Sequence, residues 1–359
     1  MKKLIYILPL CALFACNTPE KPIEDEPQPG TFAKGGDLGW LTEQEADGVK
    51  FYNDNNEATD CIALLRSIGM NSVRLRVWVN HSTGWCNKED VIIKARRAKA
   101  QKQRIMIDFH YSDFFCDPGR QDIPAAWKDY TLQQMQQAIA EHTTDVLSAL
   151  QAEGITPEWI QVGNETTNGM LWRMGQLWDN NGDLPDGWKN YVVLSNAGYD
   201  AAKAVFPETI VIIHIDNAWE DRVWWYTAFR NAGGKFDMIG LSHYPQTNDQ
   251  KSYTEMNTLC AEHVQQLAKR FGVPVMIAEV GTQSANPTLA AKVMQDFIDK
   301  VCGLNQCAGV FYWEPQVYNA WRPAEYIPLG WGAYDMGAFT AQGKPAEALK
   351  LLLGYQSVK

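Results

Sequence analysis

The chain holds only six histidines, and no HExxH, no paired-histidine spacing and no CxxC occurs in its 359 residues, so a zinc hydrolase is excluded. It has no GxSxG elbow and no phosphate-cradling loop, which removes serine hydrolases of that type and P-loop enzymes. No GxGxxG follows the first strand-like run, so a dinucleotide fold has no support. Positive charge is scarce as well. With 32 basic against 42 acidic residues the net charge is −10, and nucleic acid is not an expected partner. No internal repeat and no second linker interrupts the sequence, and beyond residue 16 no apolar stretch reaches the length of a membrane span.

What the chain has in abundance is tryptophan, 14 in all, many of them in loop-like stretches: Trp85, Trp127, Trp172, Trp178, Trp188, Trp321 and Trp331. A flat indole suits the apolar face of a sugar ring, although packing of long loops explains such residues equally well. The 46 % hydrophobic content is ordinary for a large core.

The first residues read as targeting. A basic Met1-Lys2-Lys3 precedes an apolar stretch, 4–15, that is too short to span a bilayer and ends in Leu13-Phe14-Ala15-Cys16. That ending resembles a lipoprotein cleavage box with Cys16 as the acylated residue; Cys11 is a weaker candidate, and an ordinary cleaved signal is the alternative. Residues 16–30, acidic and Pro-rich, form a tether. The expected location is the outer membrane, facing out of the cell, with one catalytic domain over 31–359. Export permits disulfides, and Cys86 and Cys116 lie after neighbouring strands where they could bridge; Cys61 and Cys260 read as buried thiols.

Eight strand-like runs follow in order: 32–37, 72–78, 104–110, 159–165, 210–216, 238–244, 273–280 and 309–314. Most are rich in Val and Ile, as strands buried on both faces should be. Amphipathic segments with helical spacing separate them, including 91–101, 132–152, 190–205, 255–270, 289–301 and 346–353. Eight such units predict an α/β fold, a single-domain (β/α)8 TIM barrel, with a doubly wound sheet as runner-up. Each run turns polar at its outgoing end, where such a barrel places its active site.

Two of those ends carry glutamates: Trp159-Ile160-Gln161-Val162-Gly163-Asn164-Glu165 and Pro274-Val275-Met276-Ile277-Ala278-Glu279. A carboxylate beside a barrel core must be paired or used. Strands four and seven face each other across an eight-membered ring, so these two suit an acid and a nucleophile around one glycosidic bond. A gap of roughly 5–5.5 Å would give retention. Glu165 is the expected proton donor and Glu279 the nucleophile. Asn164 is placed to meet the sugar 2-hydroxyl, and Arg74 to keep Glu279 ionised. Arg76 and Trp78 share the parity of Arg74. His243 or Tyr244 is expected to orient the carboxylates. Asp108, Asp216 and Glu314 are rival carboxylates; Asp108 reads as a partner of His110, and Glu314 as a substrate or rim contact. The polar turn Asp179-Asn180-Asn181-Gly182-Asp183 fails the calcium-loop pattern and reads as solvated.

With these residues in place, the chain resembles glycoside hydrolase family 53, the endo-β-1,4-galactanases of the large retaining (β/α)8 clan. The likeness is carried by Lys34-Gly35-Gly36-Asp37-Leu38, Asn71-Ser72-Val73-Arg74-Leu75-Arg76-Val77-Trp78, Asp108-Phe109-His110-Tyr111-Ser112-Asp113, Asp117-Pro118-Gly119, Gln161-Val162-Gly163-Asn164-Glu165 and Gly309-Val310-Phe311-Tyr312-Trp313-Glu314-Pro315. It implies the same roles for Glu165 and Glu279, and a groove for β-1,4-linked galactose chains such as those of pectic arabinogalactan. Arg74, Arg76, Trp78, His110, Asp113, Asn164, His243, Tyr244, Trp313 and Trp331 are the expected substrate contacts. The chain departs from the family at Phe114-Phe115-Cys116, after Glu279, and over 329–339, where some members hold calcium; the chemistry itself requires no cofactor. A related β-1,4-glycanase acting on glucan, mannan or xylan is the enzymic alternative, and a non-catalytic glycan-binding lipoprotein the non-enzymic one.

Overall fold

The computed structural model describes residues 27–246, 250–318, 321–328 and 332–356. The expectations at Cys16 and Trp331, and the leader, fall outside them. Eight strands alternate with eight helices: β1 (Ala33–Asp37), α1 (Cys61–Ser67), β2 (Ser72–Val77), α2 (Lys88–Ala100), β3 (Arg104–Phe109), α3 (Leu132–Ala152), β4 (Trp159–Val162), α4 (Gly187–Val205), β5 (Ile210–Ile215), α5 (Val223–Asn231), β6 (Met238–His243), α6 (Tyr253–Phe271), β7 (Val275–Val280), α7 (Pro287–Phe297), β8 (Cys307–Trp313) and α8 (Glu347–Gly354). The strands are all parallel and pair in chain order into a closed barrel, sealed between β1 and β8 from Ala33↔Gly309 to Asp37↔Trp313. This is a (β/α)8 barrel.

The pattern follows from burial on two sides. Outward strand residues such as Val73, Ile107, Ile160, Ile213 and Ile277 join the helices in one apolar layer. Inward residues Ala33, Met106, Trp159, Ile212, Met238, Met276 and Phe311 fill the barrel floor. Gly35 makes room there, because a Cβ on it would collide with the Phe311 ring. Local signals set the helix ends: Thr131 and Gln134 form a capping box at the start of α3, and Gly272 ends α6 in the left-handed region.

Above the apolar floor the inward positions turn polar. Asp37, Arg74, Asp108, Gln161, His214 and Ser242 are all buried, one strand after another. The alternation of side chains that puts Ile212 on the floor puts His214 one layer higher. The same alternation sends His243 outward, which is why this residue misses the site expected of it. Its Nε2 meets Asn257 Oδ1 of α6 at 2.8 Å, and its ring stacks on Phe297 of α7.

The Cys86–Cys116 bridge that their placement after neighbouring strands permits does not form. The six cysteines among the described residues are buried thiols. Cys86 faces the Gly39 carbonyl and Cys116 the His110 carbonyl, so the two thiols belong to separate loops.

Candidate active site

Four strand ends bend sharply as they leave the barrel. Tyr111, Glu165, Asn217 and Glu314 all take positive φ, at 51°, 45°, 51° and 45°, just beyond β3, β4, β5 and β8. Such backbone costs energy and concentrates at functional sites. At β4 it turns Glu165 into the mouth, helped by Gly163, whose φ of 81° and contact with the Thr166 methyl leave no room for a side chain.

Arg74 is the centre of the polar layer. Its guanidinium reaches Asp37 at 2.6 Å, Asp108 at 2.9 Å and Glu279 at 3.1 Å, all buried. It also donates to Asn164 Oδ1 (2.7 Å) and Gln161 Oε1 (3.2 Å). Burial opposes the charge on Arg74, but three carboxylates raise its pKa above the usual value. Burial likewise opposes ionisation of Asp108, yet Arg74 and His110 hold it below the ordinary range. His110 is fixed on both sides: Cys116 N donates to its Nδ1 (2.9 Å), so Nε2 carries the proton toward Asp108 (3.0 Å).

Glu279 leaves the end of β7. Tyr244 Oη donates to its Oε2 at 2.8 Å. Oε1 lies within ion-pair distance of Arg74, but no described group hydrogen-bonds it. One oxygen is thus anchored by a hydrogen bond, and the other is held only by the Arg74 charge. Burial pushes Glu279 up to about 7 while Arg74 and Tyr244 pull it back. Glu165 goes further. Burial, the Glu279 charge and Asp216 raise it well above an ordinary carboxyl, with only Ser242 opposing. Two facing carboxyls therefore differ in kind: burial and the Glu279 charge hold Glu165 toward its protonated form, while Arg74 and Tyr244 favour the ionised form of Glu279.

His214, Ser242 and Gln161 support this pair and were not singled out from the sequence. Burial and Arg74 keep His214 neutral. Gln161 Nε2 and the Glu165 amide face its Nδ1 as donors at 3.1 and 3.4 Å, although Asn164 Oδ1 also lies 3.0 Å away. The tautomer protonated on Nε2 satisfies more of these contacts, and it donates to Ser242 Oγ (2.9 Å), leaving the serine hydroxyl for Glu165. The available signal was a lone histidine in an otherwise apolar run, at inward parity. Asn164 is held by Arg74 through Oδ1 and donates through Nδ2 to Cys116 O (2.8 Å), which fixes its amide beside Glu165.

Glu314, read as a substrate or rim contact, braces the rim, and several expected substrate contacts join it there. Glu314 accepts from Arg76, the Trp40 amide and Gln316, so both its oxygens are committed. Arg76 is buried, with its guanidinium over Trp40, Trp78 and Phe115. Trp78 is 1 % exposed and packs in that aromatic cluster, out of reach of a ligand. Asp113 ties two loops by accepting from Asn80 N and Ala125 N. Trp313 does face the mouth. It is half-buried, stands edge-on to Tyr334 at 4.6 Å, and borders an apolar pit of about 250 Å3 with Trp40, Trp321 and Tyr326. A larger cleft, at Lys34, Asn71 and Lys350, lies on the opposite face of the barrel. Among the described residues no cluster of His, Cys, Asp or Glu is arranged to hold a metal ion.

Comparison with known proteins agrees with this fold. The model of glycosyl hydrolase family 53 matches residues 33–352. An uncharacterised Niallia circulans protein is 30 % identical, covering 87 % of this chain and 91 % of its own. An arabinogalactan endo-β-1,4-galactanase of Thermothelomyces thermophilus is 29 % identical over 89 % of this chain and 98 % of its own. A solved fungal β-1,4-galactanase superposes with a TM-score of 0.76 at 26 % identity, covering 89 % of this chain and 98 % of that one. Two carboxyls at opposed strand ends, in a barrel matched over nearly its whole length, have one reading: the chain is a glycoside hydrolase and belongs to glycosyl hydrolase family 53.

Proposed function

We propose that the enzyme hydrolyses internal β-1,4-galactosidic bonds of galactan and type I arabinogalactan by double displacement with retention. The observation that carries this reading is the unequal pair of carboxyls. Glu165, protonated, donates to the departing glycosidic oxygen. Glu279, ionised beside Arg74 and Tyr244, attacks the anomeric carbon through Oε1, which pairs with the Arg74 charge but accepts no hydrogen bond. Glu165, then a carboxylate, takes a proton from the water that releases the sugar. Asn164 is positioned for the 2-hydroxyl, and Trp313 for the face of the sugar held over Glu279. The substrate class is supported by relatives named as galactanases.

The test is a reducing-sugar assay on linear β-1,4-galactan beside glucan, mannan and xylan. Rapid release from galactan alone, with a fast fall in viscosity, supports the reading. Preference for a polymer with equatorial O4 would replace it with another retaining β-1,4-glycanase.

The enzyme is held at the outer membrane by lipid on Cys16, which lies outside the described residues. Support comes from the Leu13-Phe14-Ala15-Cys16 box and the acidic stretch after it. Cys16→Ala should move activity out of the membrane fraction or block processing; an unchanged distribution would remove the anchor.

A further inference from the structure

Beyond Glu165 the chain makes two short antiparallel hairpins, Gly169–Met170 with Gly175–Gln176 and Trp178–Asp179 with Gly182–Asp183. Asn168, three residues after Glu165, fastens this insertion. Its Oδ1 accepts from the amides of Leu177 and Trp178 (3.2 and 2.9 Å), its Nδ2 donates to Trp178 O (3.0 Å), and its own carbonyl accepts from Trp172 Nε1 (2.9 Å). The half-buried indole of Trp178 is thereby held on the same rigid turn that carries Glu165.

Against it, on α5, stands Trp224. The ring centroids are 6.2 Å apart and inclined at 48°. Trp224 is 51 % exposed, the only tryptophan among the described residues to be so open. Its neighbour Trp225 is fully buried and donates to Thr167 O (2.7 Å), so α5 is anchored to the Glu165 turn as well. Core packing accounts for Trp225 and leaves Trp224 unexplained. Exposed polar groups flank the pair: Asn180, Asn181 and Asp183, in the turn the sequence marked as solvated.

We propose that Trp178 and Trp224 form a stacking platform for the leaving-group side of a β-1,4-linked hexopyranose chain. An acid protonates the glycosidic oxygen of the sugar that departs, so a surface built outward from Glu165 lies beside that sugar and those that follow it. Two indoles offer apolar faces to successive rings, and the flanking amides and carboxylates meet their hydroxyls. The platform rests on the galactanase reading for the identity of its sugar.

The experiment measures kcat/KM for wild type, Trp224→Ala and Trp178→Phe on linear galactan and on β-1,4-galacto-oligosaccharides from the trimer to the hexamer. One stacked ring is worth roughly fivefold to tenfold. The variants should lose about that factor on the polymer and the hexamer and clearly less on the trimer. Products from the oligosaccharides should also shift, because the leaving-group end is no longer held. Trp224 is at the surface, so Trp224→Ala keeps the fold even where Trp178→Phe melts early. Equal losses at every chain length, or no loss on the polymer, would overturn the platform. A wild-type enzyme that leaves galactan intact would instead overturn the galactanase reading, and with it the ligand assigned here; that failure shows in the unmodified protein and the two are not confused.

Discussion

Tyr244→Phe isolates the electrostatic part of the mechanism. The change removes one hydroxyl and the 2.8 Å hydrogen bond it donates to Glu279 Oε2, and leaves the ring in place. A hydrogen bond to a charged group is worth about 1.5–3 kcal/mol, and one pKa unit corresponds to about 1.4 kcal/mol. Burial already pushes Glu279 up to about 7. Without the hydroxyl it should rise by about one to two further units. In the proposed mechanism Glu279 works ionised, so the acid limb of kcat/KM against pH should move upward by that amount. In the same mechanism Glu165 works protonated, and burial and Glu279 raise it, so the alkaline limb should stay near its original place and the active window should narrow. Near pH 6 the rate should fall roughly tenfold to hundredfold and recover in part as the pH is raised. Galactan hydrolysis from acid to alkaline pH measures this, with circular dichroism to check the fold. An acid limb that does not move would refute the claim that Tyr244 helps ionise Glu279, and a uniform loss at all pH values would leave the tyrosine only an orienting part.

Trp313→Ala should weaken action on galactan by roughly 1–3 kcal/mol with the fold retained, because the ring is half-buried at the mouth; an unfolded variant would make it core, and an unchanged one would remove it from the site. A third prediction concerns stability. Glu43 is buried among Glu325, Asp47 and Glu314 and is pushed up to about 8, above its unfolded value of 4.5. A carboxyl raised by folding binds its proton more tightly in the native state, so its contribution is fully present below about pH 4.5 and is lost as the pH rises toward 8. Glu43→Gln should therefore flatten the fall in Tm between those values and leave Tm at low pH nearly unchanged; an equally steep fall would contradict the burial argument.

The barrel was legible because every strand is buried on both faces and each reads as a short apolar run ending in polar residues. The run 210–216 shows both the strength and the gap. Its length and branched residues identify β5, but the functional histidine sits inside it, and only the parity shared with Ile212 separates an inward His214 from an outward one. The same parity argument moves His243 to the helix layer, where Asn257 receives it. Arg74 was placed correctly beside Glu279, since alternation along β2 leaves it no other direction. Arg76 and Trp78 follow the same alternation but lie one layer further out, where Glu314, Trp40 and Phe115 enclose them. Those partners come from β8 and from loops distant in sequence, and no local pattern announces them. Trp178 is among the loop tryptophans suited to a sugar face, but its pairing with Trp224 and its fastening by Asn168 are hidden for the same reason. They depend on how two rim segments meet, which spacing along one chain does not encode.

Azide rescue of Glu279→Ala and Glu165→Ala, with an activated β-galactoside as substrate, tests most directly whether Glu279 attacks and Glu165 donates. In Glu279→Ala the azide occupies the vacated space, attacks the anomeric carbon from the nucleophile's face in one displacement, and should give the α-galactosyl azide. In Glu165→Ala the glycosyl-enzyme still forms, because the leaving group needs no proton; azide then attacks it from the opposite face and should give the β-galactosyl azide. Reversed anomers would exchange the two roles, and full activity of either variant without azide would contradict the two-carboxylate mechanism.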